Sequence, residues 1–530
     1  MIHNLQLRVD PRTAATPLLL LSRVSTELDT DANAIRDIVV KKRSIDARQR
    51  RVMVNLTVDV YVGEDAPASP LLRPVHYGDV SGAPQAVVVG AGPAGLFAAL
   101  RLIELGVRPV ILERGKDVDS RRVDMAQIAR SNIVDPDSNY CFGEGGAGAF
   151  SDGKLYTRSK KRGNVEKVLQ IFCQHGASTD ILVDAHPHIG TDRLPGVIKA
   201  MRDTIIRCGG EVRFSARVTG LLLDSGDDGR LRATGVKTAD GTTYCGPVII
   251  ATGHSARDTY RMLLDSGVTL EPKGIAIGVR LEHPQQLIDS IQYHSPQGRG
   301  KYLPAAEYSM LTRVDDRAVY SFCMCPGGFV IPSASGPDQQ AVNGMSPASR
   351  GTRWANSGMV VEILPDDVTD FTGTLKIMEL QEKIEKDFYE ESGRTQNAPA
   401  QRMTDFVAGR PSASLPPSSY APGVHPARVD RILPEYISRR LRKGFEEFGR
   451  KSRGFLTDKA IVLGCETRTS APVRIVRDDA TLCSVSVEAL FPSGEGAGYA
   501  GGIVSAAVDG ERAADALFDR MFRNHDSDNL

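Results

Sequence analysis

Several features are scarce in this chain of 530 residues. It has eight cysteines and no C-x-x-C, which argues against the redox-active disulfide of the disulfide reductases and against a zinc ribbon. The apolar run Pro17–Leu21 is far shorter than a membrane span, and nothing before it is typical of a signal peptide. We therefore predict a soluble, cytoplasmic protein with reduced thiols and no membrane partner.

An excess of charge of one sign is also missing. Lysine plus arginine and aspartate plus glutamate number 65 each, so the charge balance gives no support for a nucleic-acid partner. No P-loop, nucleophile elbow or H-E-x-x-H motif occurs. His186-Pro187-His188, with Asp184 nearby, is the closest approach to a metal site, and the pattern favours a structural role for it. We predict no bound metal.

The stretch Gln85–Arg114 is typical of a dinucleotide-binding βαβ unit. Ala86–Val89 is an apolar run of strand length, and the turn Gly90-Ala91-Gly92-Pro93-Ala94-Gly95 follows it directly. In such a turn the first glycine permits the sharp bend, the second leaves room for a pyrophosphate, and the third lets the next helix pack on the strand. A second strand ends in Glu113, where a carboxylate can accept hydrogen bonds from a ribose.

Residues 1–80 precede this unit and are predicted to form a small α+β domain. Val52–Val62 alternates apolar and polar residues, as a half-buried strand does. The stretch Lys41–Arg51 has six basic residues against one acid, Asp46. It is either a contact site for an anionic partner or a solvated helix or loop face, and the pattern favours the second.

The rest of the chain divides into two domains. Strand and helix patterns continue through residues 84–272 and resume at 455–522, which predicts a discontinuous α/β, Rossmann-like cofactor domain. Between them, residues 273–454 show short alternating strands and the helices Leu375–Tyr389 and Pro434–Phe448. We predict a mainly antiparallel α+β substrate domain there, inserted into the cofactor domain.

Three regions beyond the βαβ unit carry a resemblance to a known family. They are Cys141–Leu155 (CFGEGGAGAFSDGKL), Ile249–Tyr260 (IIATGHSARDTY), and the C-terminal stretches ETRTSAPVRI and LFPSGEGAGYAGGIVSAAVDG. With the glycine motif they resemble the two-dinucleotide-binding-domain, glutathione-reductase-like flavoproteins, and within them the bacterial FAD-dependent dehydrogenases, or NAD(FAD)-utilising dehydrogenases. The resemblance runs through most of residues 84–520. It implies FAD, one Rossmann-type domain and a second domain over the flavin, and it supplies no substrate.

The resemblance and the glycine-rich segments together predict a non-covalent FAD site. An acid after a buried strand contacts the ribityl chain in flavoproteins of this kind, which indicates Glu495. The glycines that follow would let a helix N-terminus approach the flavin. The predicted cofactor-binding residues are Gly90, Gly92, Pro93, Ala94, Gly95, Glu113, Arg114, Gly145, Gly146, Ala147, Gly148, Thr252, Gly253, Gly494, Glu495, Gly501, Gly502 and Ile503.

Candidates for acid–base or tuning roles adjoin these loops. We predict His254, Glu144 and Arg468 as catalytic residues, with Asp152 and Cys141 as further candidates. Cys323-Met324-Cys325 is the only close cysteine pair; its thiols would face the same side of a strand, and its spacing favours buried structural thiols.

The predicted function is an FAD-dependent oxidoreductase that moves a hydride between FAD and an unidentified small organic substrate. A second nucleotide fingerprint is absent, so NAD(P)H, if it is the electron donor, is expected to dock transiently in the cleft. Two alternatives remain: a flavoprotein that binds or acts on tRNA through Lys41–Arg51, and a flavin-binding protein without turnover. Zero net charge disfavours the first of these.

Overall fold

The N-terminal unit is a three-stranded antiparallel sheet covered by two helices. In a computed structural model that describes residues 1–157, 163–226 and 229–523, its sheet has the order β1-β3-β2. Leu7, Val24 and Val58 lie in the core between sheet and helices. The elements are β1 (Ile2–Val9), α1 (Pro11–Ala15), α2 (Pro17–Leu28), β2 (Ile35–Asp46) and β3 (Met53–Val62).

The basic stretch lies largely on strand β2, so the expected helix or loop face is wrong for Lys41–Arg43. Arg43, on β2, donates from its side chain to Asp184 at 2.6 Å and to Asp180 at 3.1 Å, both of which belong to the next domain. Arg48 is paired with Asp46 at 2.8 Å. Part of this basic charge therefore serves to dock the N-terminal unit.

A parallel sheet forms the centre of the second unit. Five strands run parallel in the order β23 (Leu490–Pro492), β10 (Val248–Ile250), β4 (Gln85–Val89), β5 (Arg108–Leu112) and β6 (Glu211–Arg213). Helix α13 (Ile503–Phe518), from the C-terminal end of the chain, packs against α3 (Pro93–Glu104). The first part contains β4 (Gln85–Val89), α3 (Pro93–Glu104), β5 (Arg108–Leu112), α4 (Val118–Ser131), α5 (Val165–Gln174), α6 (Leu194–Arg207), β6 (Glu211–Arg213), β7 (Val218–Ser225), β8 (Leu231–Thr238), β9 (Thr243–Cys245), β10 (Val248–Ile250), α7 (Arg257–Asp265) and β11 (Leu270–Pro272).

The third unit is built on a seven-stranded sheet of order β13-β14-β17-β12-β20-β18-β19, antiparallel except for the β18–β19 pair. Helices α9 and α12 bury Ile384 and Phe445 against it. Its elements are β12 (Ile275–Pro284), α8 (Gln285–Gln292), β13 (Leu311–Val314), β14 (Arg317–Cys325), β15 (Phe329–Pro332), β16 (Val342–Met345), β17 (Trp354–Ile363), α9 (Lys376–Glu391), β18 (Ala398–Arg402), α10 (Met403–Ala408), β19 (Val424–Pro426), α11 (Val429–Ile432), α12 (Glu435–Lys451) and β20 (Ile461–Glu466).

The predicted end of the inserted domain at residue 454 is wrong by at least one strand. Strand β20 lies between β12 and β18, in the middle of the antiparallel sheet, and not in the cofactor domain. The chain then returns through β21 (Val473–Ile475), β22 (Val487–Glu488), β23 (Leu490–Pro492) and α13 (Ile503–Phe518). Because β23 pairs with β10, the parallel sheet is completed from both ends of the chain. In the described part of the chain, no helix is long and apolar enough to cross a membrane.

Candidate functional site

The turn after β4 has the three glycine environments that the motif predicts. Gly90 has a φ of +106°, and a Cβ added there would meet the Ala251 carbonyl oxygen at 2.5 Å. A Cβ on Gly95 would meet the Gly90 carbonyl oxygen at 1.9 Å, so this glycine lets α3 pack on the turn. At Gly92 an added Cβ would meet no atom within 4 Å, because this position borders an open cleft. The backbone can therefore approach a ligand at Gly92.

Glu113 joins the loops on this side of the cleft. Its carboxylate accepts hydrogen bonds from the amides of Ala91, Gly115 and Gly143 at 2.9–3.0 Å. It also borders the cleft, where it can accept from a ribose hydroxyl, as the motif predicts. Arg114 borders the cleft as well, and its guanidinium lies 4.1 Å from the ring centre of Phe142.

Only part of the predicted glycine-rich loop faces the cleft. Gly146, Ala147 and Gly148 line it, and a Cβ on Gly146 would come within 3.4 Å of the Gly92 Cα. Gly145 lies outside the cleft lining, because a Cβ added there would meet Ile198 Cδ1 at 2.4 Å. Its expected contact with the cofactor is therefore not supported by the structure.

Glu144 is also outside the cleft. Its side chain is buried and accepts from the Val118 amide and from Arg202, both at 2.9 Å. It thus satisfies the first backbone amide of α4 and neutralises an arginine. This geometry contradicts the prediction that Glu144 acts on the flavin or substrate, and it assigns the residue a structural role.

The segment that follows the inserted domain and rejoins the cofactor domain forms the next wall of the cleft. Glu495, Gly501, Gly502 and Ile503 line the cleft where α13 begins. Gly494 does not, because its Cβ position is 2.7 Å from the Ala94 Cβ. Its amide donates instead to Asp509, so Gly494 is a packing position and not the predicted cofactor contact.

Gly95 likewise lies outside the lining, as its packing role requires. The predicted positions Pro93 and Ala94 do border the cleft at the start of α3. Helices α3 and α13 both begin at the cleft without a side-chain cap, so their first backbone amides are available to an anionic group.

The end of β10 adds Thr252, Gly253 and His254 to the lining. The Thr252 hydroxyl oxygen and the His254 Nδ1 are buried and have no hydrogen-bond partner in the part of the chain that the structure describes. Buried polar atoms without a partner are costly and rare in folded proteins. Their position in the cleft wall is explained if a bound ligand supplies the missing partners.

Residues of the inserted domain close the cleft from the opposite side. They are Phe322, Cys323 and Asn343, joined by Arg468 and Thr469 after β20. From the cofactor domain, Cys141, Asp152 and Lys154 reach the same part of the cleft. Sequence reasoning missed Phe322, Asn343 and Lys154; only Lys154 had a signal, since it belongs to the glycine-rich segment Cys141–Leu155.

Arg468 is held by a buried acid that links both domains. Glu385 on α9 accepts from Arg468 and from Arg257 on α7, with distances of 2.8 Å in each case. Burial raises the pKa of Glu385, but the two arginines outweigh it and bring the pKa to about 2. The ionised carboxylate therefore fixes the predicted catalytic residue Arg468 at the cleft.

His254 and Glu495 face each other with shifted pKa values. Their Nε2 and Oε1 atoms are 3.8 Å apart. Burial, together with the charges of Arg468, Lys273 and Arg257, lowers the pKa of His254 to about 3, so its imidazole is neutral at pH 7. Burial raises the pKa of Glu495 to about 7, against the opposing effect of Lys273. Glu495 is therefore the member of this pair that exchanges a proton near neutral pH.

The cleft has a volume of about 380 Å³. That size is within the range of sites that enclose a small molecule. The open position at Gly92, the uncapped helix N-termini and the unpartnered atoms of Thr252 and His254 all fit an elongated, phosphate-containing ligand. These residues fit FAD.

Comparisons with known proteins agree. Residues 84–244 match the family model described as an FAD binding domain, and residues 274–469 match one described as an FAD-dependent protein, C-terminal domain-like. Residues 1–61 match a domain of unknown function. An uncharacterized protein of Clostridium beijerinckii is 39% identical over 543 residues, which cover 98% of each chain. This chain belongs to the same family as that clostridial protein. Its FAD-binding domain makes it a flavoprotein.

Solved structures resemble the chain only distantly. The tetracycline destructase Tet(51) is 12% identical with a TM-score of 0.33, and the match covers 83% of this chain and 84% of that one. A geranylgeranyl bacteriochlorophyll reductase-like protein of Thermoplasma acidophilum is 13% identical with a TM-score of 0.35, over 83% and 80% of the two chains. A flavoprotein/dehydrogenase of Cytophaga hutchinsonii is 13% identical with a TM-score of 0.32, and the match covers 83% of this chain and 82% of that one. These values are too low to bear on the substrate of the flavoprotein described here.

Proposed function

We propose that this flavoprotein transfers a hydride between a small organic substrate and a non-covalently bound FAD. The observation that carries the proposal is the two-sided cleft. FAD-binding loops form one wall, and Phe322, Cys323 and Asn343 of the inserted domain form the other. When bound, FAD supplies the hydride-transfer chemistry, so the protein has to bind, orient and tune the reactants.

The cofactor-domain wall performs the binding. The open backbone at Gly92 and the amides at the start of α3 suit the pyrophosphate, and Glu113 suits the ribose. The start of α13 at Gly501–Ile503 brings a partial positive charge to another part of the cleft. Such a charge stabilises electron density that builds up on a bound ring.

Proton handling falls to Glu495 in this proposal. Its pKa of about 7 lets it hold a proton on the acid side of neutrality and release it on the basic side. Neutral His254, 3.8 Å away, can orient that carboxyl group or a ligand atom. Arg468, already ionised and fixed by Glu385, offers a positive charge to a polar or anionic group of the ligand.

NAD(P)H is proposed only as a transient electron donor that docks in the cleft. The described chain has one parallel nucleotide-binding sheet, and the domain opposite it is antiparallel. The finer grouping with the glutathione-reductase-like flavoproteins remains part of the proposal and rests on the sequence segments alone. A cytoplasmic location is supported by the eight free cysteines. Nucleic acid stays outside the proposal, since Arg43 and Arg48 are engaged in ion pairs.

The test is anaerobic reduction of the bound flavin, followed by stopped-flow absorbance. NADH, NADPH and a panel of small alcohols, amines and hydroxy acids are mixed in turn with the holoprotein. We expect at least one donor to bleach the flavin, and Glu495→Gln to slow that donor while keeping FAD bound. If no donor bleaches the flavin, the protein is a flavin-binding protein without turnover and the proposal is wrong.

A further inference from the structure

Two cysteines of the inserted domain meet at the cleft wall. Strand β14 loses its register with β17 between Phe322 and Cys325, and Cys323 sits in this irregularity with a φ of +43°. That conformation is strained for a residue other than glycine, and strain of this kind is concentrated at functional sites. The irregularity lets the neighbours Phe322 and Cys323 both border the cleft, which a regular strand would prevent because successive side chains alternate.

The second thiol lies directly behind the first. Cys325 is fully buried, and its thiol donates to the Cys323 carbonyl oxygen at 3.4 Å. Cys323 is partly exposed toward the cleft. Both thiols are free. The pair therefore combines one accessible sulfur with one protected sulfur, the arrangement that an attacking and a resolving thiol need.

Two cations lie against this pair, Lys154 with Asp152 beside it and Arg280 with Glu466 beside it. Lys154, which lines the cleft, donates to the Met324 carbonyl oxygen between the two cysteines. From behind, Arg280 donates to the Cys323 carbonyl oxygen at 2.8 Å and approaches the Cys325 Sγ to 3.4 Å. The neighbouring Cys325 thiol, with Lys154 and Arg280, lowers the pKa of Cys323 against the effect of burial, whereas the Cys323 thiol and burial raise the pKa of Cys325. Of the two thiols, Cys323 therefore loses its proton more readily.

We propose that Cys323 and Cys325 form a second two-electron redox centre, a dithiol that closes to a disulfide by passing its electrons to FAD in the shared cleft. In that direction each thiol loses its proton, one S–S bond forms between the two sulfurs, and the two electrons pass to the flavin, which takes up one proton while the other goes to solvent. The reverse direction reduces the disulfide at the expense of reduced flavin. FAD bound along the opposing wall of the cleft would be the oxidant of this step, so no further oxidant is needed.

This centre is independent of the organic substrate, which gives it a separate test. Holoprotein is oxidised with diamide, freed of reagent and titrated anaerobically with dithionite. We expect the wild type to consume four electrons per FAD, two for the flavin and two for the disulfide. In parallel, mass spectrometry of the peptide 318–350 should show a loss of two mass units after oxidation and their return after reduction.

Cys323→Ser and Cys325→Ser should each lower the uptake to two electrons per FAD, with FAD content as the check on folding. Cys245→Ser is the matched control, because this exposed thiol lies in the other domain; it should still consume four. If Cys325→Ser fails to bind FAD, Cys323→Ser at the cleft wall carries the test alone. Any of three results would overturn the proposal. These are uptake of two electrons per FAD by the wild type, two free thiols in the oxidised peptide, and a disulfide that joins Cys141 to either cysteine.

Discussion

Alanine at Gly92 should abolish FAD binding without harming the fold. Gly92 precedes α3 with a φ of −76° and a ψ of −176°, values that alanine adopts freely, and its added Cβ would meet no protein atom within 4 Å. Loss of glycine at this helix N-cap costs about 0.5–1 kcal/mol. The smaller entropy of the unfolded alanine chain returns about 0.4–1 kcal/mol. The free energy of unfolding of the FAD-free protein should therefore change by less than about 0.5 kcal/mol.

FAD binding, in contrast to the stability of the FAD-free protein, should change strongly. FAD at one hundred times its Kd adds about 2.7 kcal/mol to the unfolding free energy of the wild type, and Gly92→Ala should lose that gain because its methyl group occupies the ligand's space. Urea unfolding with and without FAD measures both quantities. Gly95→Ala is the matched contrast: its Cβ would lie 1.9 Å from the Gly90 carbonyl oxygen, so the FAD-free protein itself should lose about 1–3 kcal/mol. Wild-type FAD affinity in Gly92→Ala would refute the assigned position of the cofactor.

Three further predictions concern ionisable groups. Glu495 has its pKa raised from 4.5 to about 7, so the folded state holds an extra proton in this window. Stability of the FAD-free protein should fall as pH rises from 4.5 to 7, and Glu495→Gln should make that slope shallower in thermal melts, with Glu466, whose pKa is also raised to about 7, contributing the same slope in both proteins. His254 has its pKa lowered from 6.5 to about 3, so it destabilises the fold as pH falls through this window. His254→Asn should therefore lose less stability at acid pH in the same melts. An unchanged dependence of stability on pH would contradict the neutral state of the buried imidazole. Glu385→Gln should cost about 3–5 kcal/mol in urea unfolding by leaving Arg257 and Arg468 without their buried partner, and a change below 1 kcal/mol would show that the cluster is solvated.

The glycine motif was predictable because its physical requirements are local. A strand, a tight turn and a close helix contact each leave a mark on adjacent residues, and Gly90, Gly92 and Gly95 meet the expected demands. In a glycine-dense loop, however, the adjacent residues do not indicate which Cβ position faces the cleft. Gly145 and Gly146 are neighbours with similar φ values of +78° and +60°, yet one Cβ position meets Ile198 and the other faces the cleft.

The pairing of the strands also could not be predicted from the sequence. Ile461–Glu466 is fully buried and begins with the apolar run Ile461–Cys465, a pattern that a parallel central strand and an antiparallel central strand share. Only its pairing with β12 and β18 assigns it to the inserted domain. The cleft wall at Cys323 depends on a loss of register in β14, and regular alternation would have placed it opposite to Phe322.

The charges around Arg468 decide which ligand groups this half of the cleft accepts. Glu385 carries one negative charge between Arg257 and Arg468, so the buried cluster keeps a net positive charge. Neutral His254 cannot offset it, and its low pKa is in part the effect of these arginines. A buried charge without compensation is costly, and Arg468 of this cluster lines the cleft, where a ligand can reach it. An anionic group, on the reduced ring of the cofactor or on the substrate, removes that cost, whereas a cationic substrate would add to it.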